Sequence, residues 1–136
     1  MNTFQLVSIP VPKTAAGTVS SGMLAWSLPQ GGIIDTSYGI KWNPDTSVTA
    51  NDTNYSTYTL ARFRAASGTT LAARATTVAG TGFTANTPTA MTVDTGAVGK
   101  SLEVATGDLL VIGKAESGSG QAGGGCVSFR VILRHD

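Results

Sequence analysis

The sequence predicts an all-β protein: an antiparallel β-sandwich of jelly-roll-like form, with about eight strands and essentially no helix. Three observations predict it. Thr, Val, Gly and Ala dominate, and turn residues interrupt every short apolar run. No window repeats apolar residues at three- and four-residue spacing while avoiding Gly, Pro and β-branched residues, as an amphipathic helix would. Several runs alternate apolar with polar side chains, as a strand does when one face lies on a core.

The clearest strand is Cys126 to Arg134, where Val127, Phe129, Val131 and Leu133 alternate with Ser128, Arg130, Ile132 and Arg134. Asp108 to Lys114 is its expected partner, across a loop of Gly, Ser and Ala. Leu109 and Val111 there point opposite to Leu110 and Ile112, which predicts burial on both sides or an interface. Thr106-Gly107-Asp108 is a turn signal, with Leu102 and Val104 opening a short run before it. Asn54 to Arg64 (NYSTYTLARFR) is rich in Tyr and Thr, which suit a pleated surface. Its apolar parity switches after Leu60, which predicts a bulge or a change of neighbour. Ala66-Ser67-Gly68 turns it into Thr70 to Thr77 as a hairpin, and Thr89 to Asp94 is a further strand. Before these come Phe4 to Val11, Ser21 to Leu28 and Gly39 to Trp42, with Pro10, Pro12 and Pro29 restricting them to edges or ends. Asn43 to Thr53 is the most loop-like part of the first half. Residues 1–20 are read as an N-terminal arm with the first edge strand, and residues 21–136 as a single β-sandwich domain.

The chain has 136 residues, enough for one domain with a substantial core. Charged residues make up only 12% of it, so Thr, Ser, Asn, Gly and Ala must cover much of the surface. Such a surface is wettable yet uncharged, and suits a chain that lies against other protein. A net charge of +1 provides no basic face for nucleic acid. Arg62 and Arg64 share one strand face and Arg130 and Arg134 another; they read as solvated faces or interface pairs. Cys126 is the only cysteine, so no internal disulfide forms, and it reads as a small buried hydrophobe. MNTFQLVSIPVPK lacks the basic and apolar regions of a signal peptide, and no run is long enough for a membrane-spanning helix.

No constellation points to catalysis or a cofactor, and neither is expected. The Gly-rich stretch GKAESGSGQAGGG is not a P-loop: Lys114 precedes Ala115, and the glycines lead into a strand rather than a helix. It reads as a long flexible connection between neighbouring strands. His135, the only histidine, lies at a chain end where a preorganised base is not expected. One Cys and one His make no zinc site. The carboxylates Asp35, Asp45, Asp52, Asp94, Glu103, Asp108, Glu116 and Asp136 show no pairing in their spacing. Asp45 and Asp52 share a loop with Asn43, Asn51 and Asn54, but without EF-hand spacing, so Asx-turns are the expectation over Ca²⁺. Trp26, Trp42, Tyr38, Tyr55 and Tyr58 read as core or cross-strand pairs ahead of a sugar-stacking platform.

The order of these pieces resembles small all-β proteins encoded with the head genes of tailed bacteriophages. The matching positions are Asn54 to Leu60, Gly68 to Ala72, Pro88 to Thr92, Ala105 to Leu110 and Gly124 to Val131. The N-terminal segment carrying IPVPK and GMLAW matches only loosely. The resemblance implies a capsid decoration (cement) or head-fibre protein. Such a protein binds the major capsid protein on the exterior of an assembled shell, often as a trimer, and stabilises it against internal DNA pressure. It would be a non-enzymatic structural protein of the virion, made in the host cytoplasm, with no nucleic-acid or membrane partner. The alternative is a phage fibre or tail adhesin module that binds a host glycan or protein. The candidate capsid contacts are Phe4, Leu6, Ile9 and Val11, on an arm expected to add a strand to a neighbouring chain.

Overall fold

The computed structural model describes residues 3–16, 20–27, 31–76, 82–93 and 102–133. Among the described residues every regular element is a strand: β1 (Phe4–Thr14), β2 (Ser20–Ser27), β3 (Gly32–Ile34), β4 (Ile40–Pro44), β5 (Tyr55–Arg64), β6 (Ser67–Ala75), β7 (Thr89–Ala90), β8 (Thr92–Val93), β9 (Glu103–Val104), β10 (Leu109–Ser117) and β11 (Gly123–Leu133). They form two antiparallel sheets that pack face to face. In the first, β11 is central. Its one edge carries β1, and its other edge carries β4 and β3 end to end, extended by β7 and β9. The second runs β2-β10-β5-β6-β8.

Parity predicts which side chains close the core. Val127, Phe129 and Val131 of β11 are fully buried, as are Leu110 and Ile112 of β10 and Leu60 of β5. Val7, Ile9 and Val11 come in from β1, and Ile40 and Trp42 from β4. Each such aliphatic side chain stabilises the fold by about 1.5–3 kcal/mol relative to leaving it exposed. At the centre Trp42 stacks on Tyr58 across the two sheets, with ring centroids 4.3 Å apart, and Phe83 tilts against both. Phe83 is brought there by a bridge to Val48, which also fastens the loop after β4.

The hairpin of β5 and β6 forms as expected, and its register slips between Leu60 and Ala61, where Leu71 of β6 is the extra residue. That bulge lets Leu71 and Ala72 both be buried, while β5 keeps its own parity against β10, so that Phe63 stays exposed and Arg62 faces the opposite sheet. The turn itself is Ala65-Ala66, one position earlier than expected, with positive φ at both alanines.

Three expectations are corrected. First, β10 does not pair with β11; it lies between β5 and β2, in the opposite sheet. The glycine-rich segment is therefore a crossing between sheets. Second, TAMTVD is not one strand. Met91 is buried between Thr89–Ala90, paired with β4, and Thr92–Val93, paired with β6, so the chain changes sheet at Met91. Third, the described residues form eleven strands, because β3 and several two-residue segments also pair; runs so short carry no readable alternation. The expected edge strand from Phe4 to Val11 does form. β1 pairs with β11 from Phe4 to Val11, and three of its residues are core.

Candidate functional site

Two places collect chemistry-bearing side chains: the outer face of the first sheet near β1, and a polar cluster between the sheets.

The outer face begins with alternation. Since Val7, Ile9 and Val11 point inward, Phe4 and Leu6 point outward and are 48% and 63% exposed. Phe4 lies opposite Ile132 of β11, and Ile132 lies opposite Ile33 of β3. The three form an apolar row across three strands, with Ile33 43% exposed. Leu6 stands one row along, opposite Arg130. The Arg130 guanidinium lies over the Phe4 ring at 4.4 Å and nearer Phe4 than Tyr38, while the Lys41 ammonium lies 4.2 Å from the Tyr38 ring.

Arg130 is held in that position by Asp35. Both Nε and Nη2 donate to Asp35 Oδ2, and the Asp35 amide donates to the Arg130 carbonyl at 2.8 Å. Ser37 donates to Asp35 Oδ1 through its hydroxyl at 2.6 Å and its amide at 2.9 Å. The Ser37 hydroxyl and then the Arg130 guanidinium hold the Asp35 carboxyl down at about 2. A second ion pair joins the end of β5 to the turn before β10. Arg64 grips Asp108 with two hydrogen bonds, while Asp108 Oδ2 also accepts from the Ala105 amide to fix the turn into β10. The Arg64 contact keeps Asp108 below the usual carboxylate range. Arg62 donates to the Glu103 carbonyl at 2.7 Å and so ties β5 to β9 in the opposite sheet. The arginines expected as solvated faces or interface pairs thus bind within the chain at Arg62, Arg64 and Arg130; Arg134 lies outside the described residues.

The inner cluster is built by β10. Lys114 and Glu116 continue the inward parity of Leu110 and Ile112. Lys114 Nζ lies 2.5 Å from Glu116 Oε1 and donates to the carbonyls of Gln121 at 2.8 Å and Ala15 at 3.3 Å. The Ser56 hydroxyl donates to the Gln121 carbonyl and accepts from the Gln121 amide. Thr76 Oγ1 accepts from the Ser56 amide and donates to Gln121 Oε1, and Gln121 Nε2 donates to the Thr49 carbonyl. Ser56, Thr76 and Lys114 are at most 2% exposed. The Ser56 hydroxyl has its donor and acceptor roles filled and faces no solvent, so the cluster works as a latch. It fastens the segment expected to be a flexible loop. Gly120 is part of the fit: it has positive φ, and a Cβ there would run into the Glu116 carboxylate.

The sequence-predicted sites divide. Among the candidate contacts, Phe4 and Leu6 are on the surface, whereas Ile9 and Val11 are 3% and 4% exposed and their side chains belong to the core. Alternation decides this once β1 is a strand on a core. The aromatic set is dispersed. Trp42 and Tyr58 are core, Tyr38 lies beneath the outer cations, Tyr55 starts β5, and the Trp26 side chain is outside the described residues. In the Asp45–Asn54 loop, Asn51 Oδ1 accepts from the amides of Thr53 and Asn54, an Asx-turn. Cys126 is half-buried rather than buried, because it lies on the outer parity of β11 opposite Pro10. His135 is outside the described residues. Sequence reasoning missed the Asp35–Arg130 and Lys114–Glu116 pairs. The only local signal for the second was that Lys114 follows Leu110 and Ile112 at steps of two.

Comparison with protein-family models, curated proteins and solved structures gives no match.

Proposed function

We propose that this protein is a non-enzymatic structural component of a bacteriophage virion: a decoration (cement) protein that binds the major capsid protein on the exterior of an assembled head. One observation carries the reading. Phe4, Leu6, Ile33 and Ile132 gather at one corner of the outer face, on a chain whose surface is otherwise low in charge. An exposed apolar patch with a polar surround is the ordinary mark of a protein contact. The acidic residues Asp35, Asp108 and Glu116 are each engaged with a cation of the same chain, in roles that hold the fold. A net charge of +1 favours a protein partner over nucleic acid or a membrane surface. The order β1-β11-β4-β7 facing β2-β10-β5-β6, with the chain passing repeatedly between sheets, supports the jelly-roll form of the sandwich.

The mechanism is binding without chemistry. A ligand that prefers the assembled shell stabilises that shell by mass action. Modest contacts add up when a homo-oligomer, for which the sequence resemblance implies a trimer, bridges several shell subunits at high effective concentration. The adhesin alternative is less well supported, since Trp42 and Tyr58 stack inside the core instead of lining a sugar platform.

Cosedimentation with undecorated heads tests the reading. The wild-type chain pellets with heads, and the double variant Phe4→Ser/Leu6→Asp, which leaves the core untouched, does not. Equal pelleting of a folded double variant would remove this face from the contact.

A further inference from the structure

We propose that the free edge of β1 is a self-association site, at which a second copy of the chain pairs antiparallel through residues 4–8 about a two-fold axis at Leu6.

The direction of the β1 backbone groups follows from one bond. The Leu133 amide donates to the Thr3 carbonyl, and antiparallel pairs alternate between bonded and non-bonded positions. With the register Gln5 to Val131, Val7 to Phe129 and Ile9 to Val127, the odd-numbered residues bond to β11. The N–H and C=O groups of Phe4, Leu6 and Ser8 therefore point away from the sheet, and no other described strand pairs with that edge. Pro10 occupies the same outward parity, where its missing N–H costs the ladder nothing. It also ends the usable edge: a strand can add only before it. Prolines on an edge are a common guard against unwanted pairing, and here the guard leaves the Phe4–Ser8 half open.

What fits is a short strand whose own outward groups alternate in the same way and whose side chains are apolar on one face. A second β1 meets both conditions. With Leu6 opposite Leu6, Phe4 of each copy lies opposite Ser8 of the other, and the outward donors and acceptors at these three positions all pair. A register shifted by two or more residues toward the C-terminus brings Pro10 into the ladder. Leu6, the most exposed large hydrophobic of the described residues, would then cover its counterpart, flanked diagonally by the two Phe4 rings. Charge does not oppose the pairing, because Arg130 beside each Leu6 is already bound to Asp35. Two sandwiches joined in this way carry their Phe4–Ile132–Ile33 rows on one continuous face.

This association goes beyond the shell reading, gives a two-fold pair in place of the trimer that the resemblance implies, and is tested on the full chain with no shell present. Sedimentation equilibrium of the wild type gives a dimer. Leu6→Pro places a proline at the parity Pro10 already occupies, so the β1–β11 ladder persists. The dissociation constant rises on the order of a hundredfold, since both copies lose Leu6. Circular dichroism checks the fold. A second variant needs no proline: Leu6→Cys in a Cys126→Ser background forms an intermolecular disulfide on mild oxidation, because a bonded antiparallel pair has Cα atoms about 5.5 Å apart. A wild-type monomer at concentrations near 1 mM, an oligomer that folded Leu6→Pro leaves unchanged, or no crosslink at Leu6→Cys would each overturn the proposal.

Discussion

Replacing Lys114 with methionine should cost more stability than any other single change of a charged residue in the described fold. The stem volume is kept, but Nζ is lost, and with it the contact to Glu116 and the bonds to the carbonyls of Gln121 and Ala15. Glu116 cannot move into water: its side chain is 3% exposed, and the chain at Gly120 closes over it. Removing one partner of a buried pair leaves an uncompensated charge and costs about 3–5 kcal/mol. A domain of this size has roughly 5–15 kcal/mol in total, so Lys114→Met should lower the melting temperature by roughly 10–15 °C. The double variant Lys114→Met/Glu116→Leu removes both charges and should recover at least about 2 kcal/mol of the loss. Urea titrations of the wild type, both single variants and the double variant, followed by circular dichroism, give the cycle. A cost under about 1 kcal/mol for Lys114→Met, the size expected of a solvated surface pair, would refute the claim that this cluster is a buried latch.

Further outcomes follow from the same structure. Trp42→Ala empties the centre of the inter-sheet stack and should destabilise by about 3–5 kcal/mol in the same titration. Ala66→Gly relieves a positive φ at the β5–β6 turn and should stabilise by about 0.5–1 kcal/mol; a loss of stability would show that the turn relaxes in solution. The Asp35 carboxyl is held at about 2, below its ordinary 3.8, so its contribution is present above pH 3.8 and is lost as pH falls toward 2. Asp108 is lowered in the same direction by Arg64. An acid titration should therefore show unfolding weaken in Asp35→Asn. Tyr58 behaves in the opposite sense. Burial, then the nearby Glu116 carboxylate, raises its hydroxyl from 10.0 to about 12. Its contribution is complete below pH 10 and is lost between pH 10 and 12, a loss that Tyr58→Phe should abolish.

The parts of the fold that depend on near neighbours in sequence were legible. Alternation in Val127–Leu133 identified the buried face of β11; a bulge does follow Leu60, but it lies on β6 at Leu71, and β5 keeps its parity. Which sheet a strand joins is not a local property. Leu109–Lys114 and Val127–Leu133 look like a hairpin because a short Gly-rich segment joins them. Yet that segment crosses between sheets, and its glycines admit Glu116 and Asn54 at close range. Lys114 and Glu116 are charged, yet they share the inward parity of Leu110 and Ile112. Asp35 and Arg130 lie 95 residues apart, and nothing short of the β3–β11 register brings them together. On the candidate site, the sequence marked Phe4 and Leu6, and alternation alone would have separated them from Ile9 and Val11. The row they form with Ile132 and Ile33 needed the strand order.

The central claim is that the outer surface of the sandwich, through the Phe4–Leu6–Ile132–Ile33 corner, binds an assembled phage head. Imaging of intact heads at a resolution that traces strands tests it most directly. The account predicts density for this sandwich on the head exterior, with that corner against the major capsid protein. Heads with no copy of the chain, or copies attached through the opposite sheet with the corner facing solvent, would contradict it.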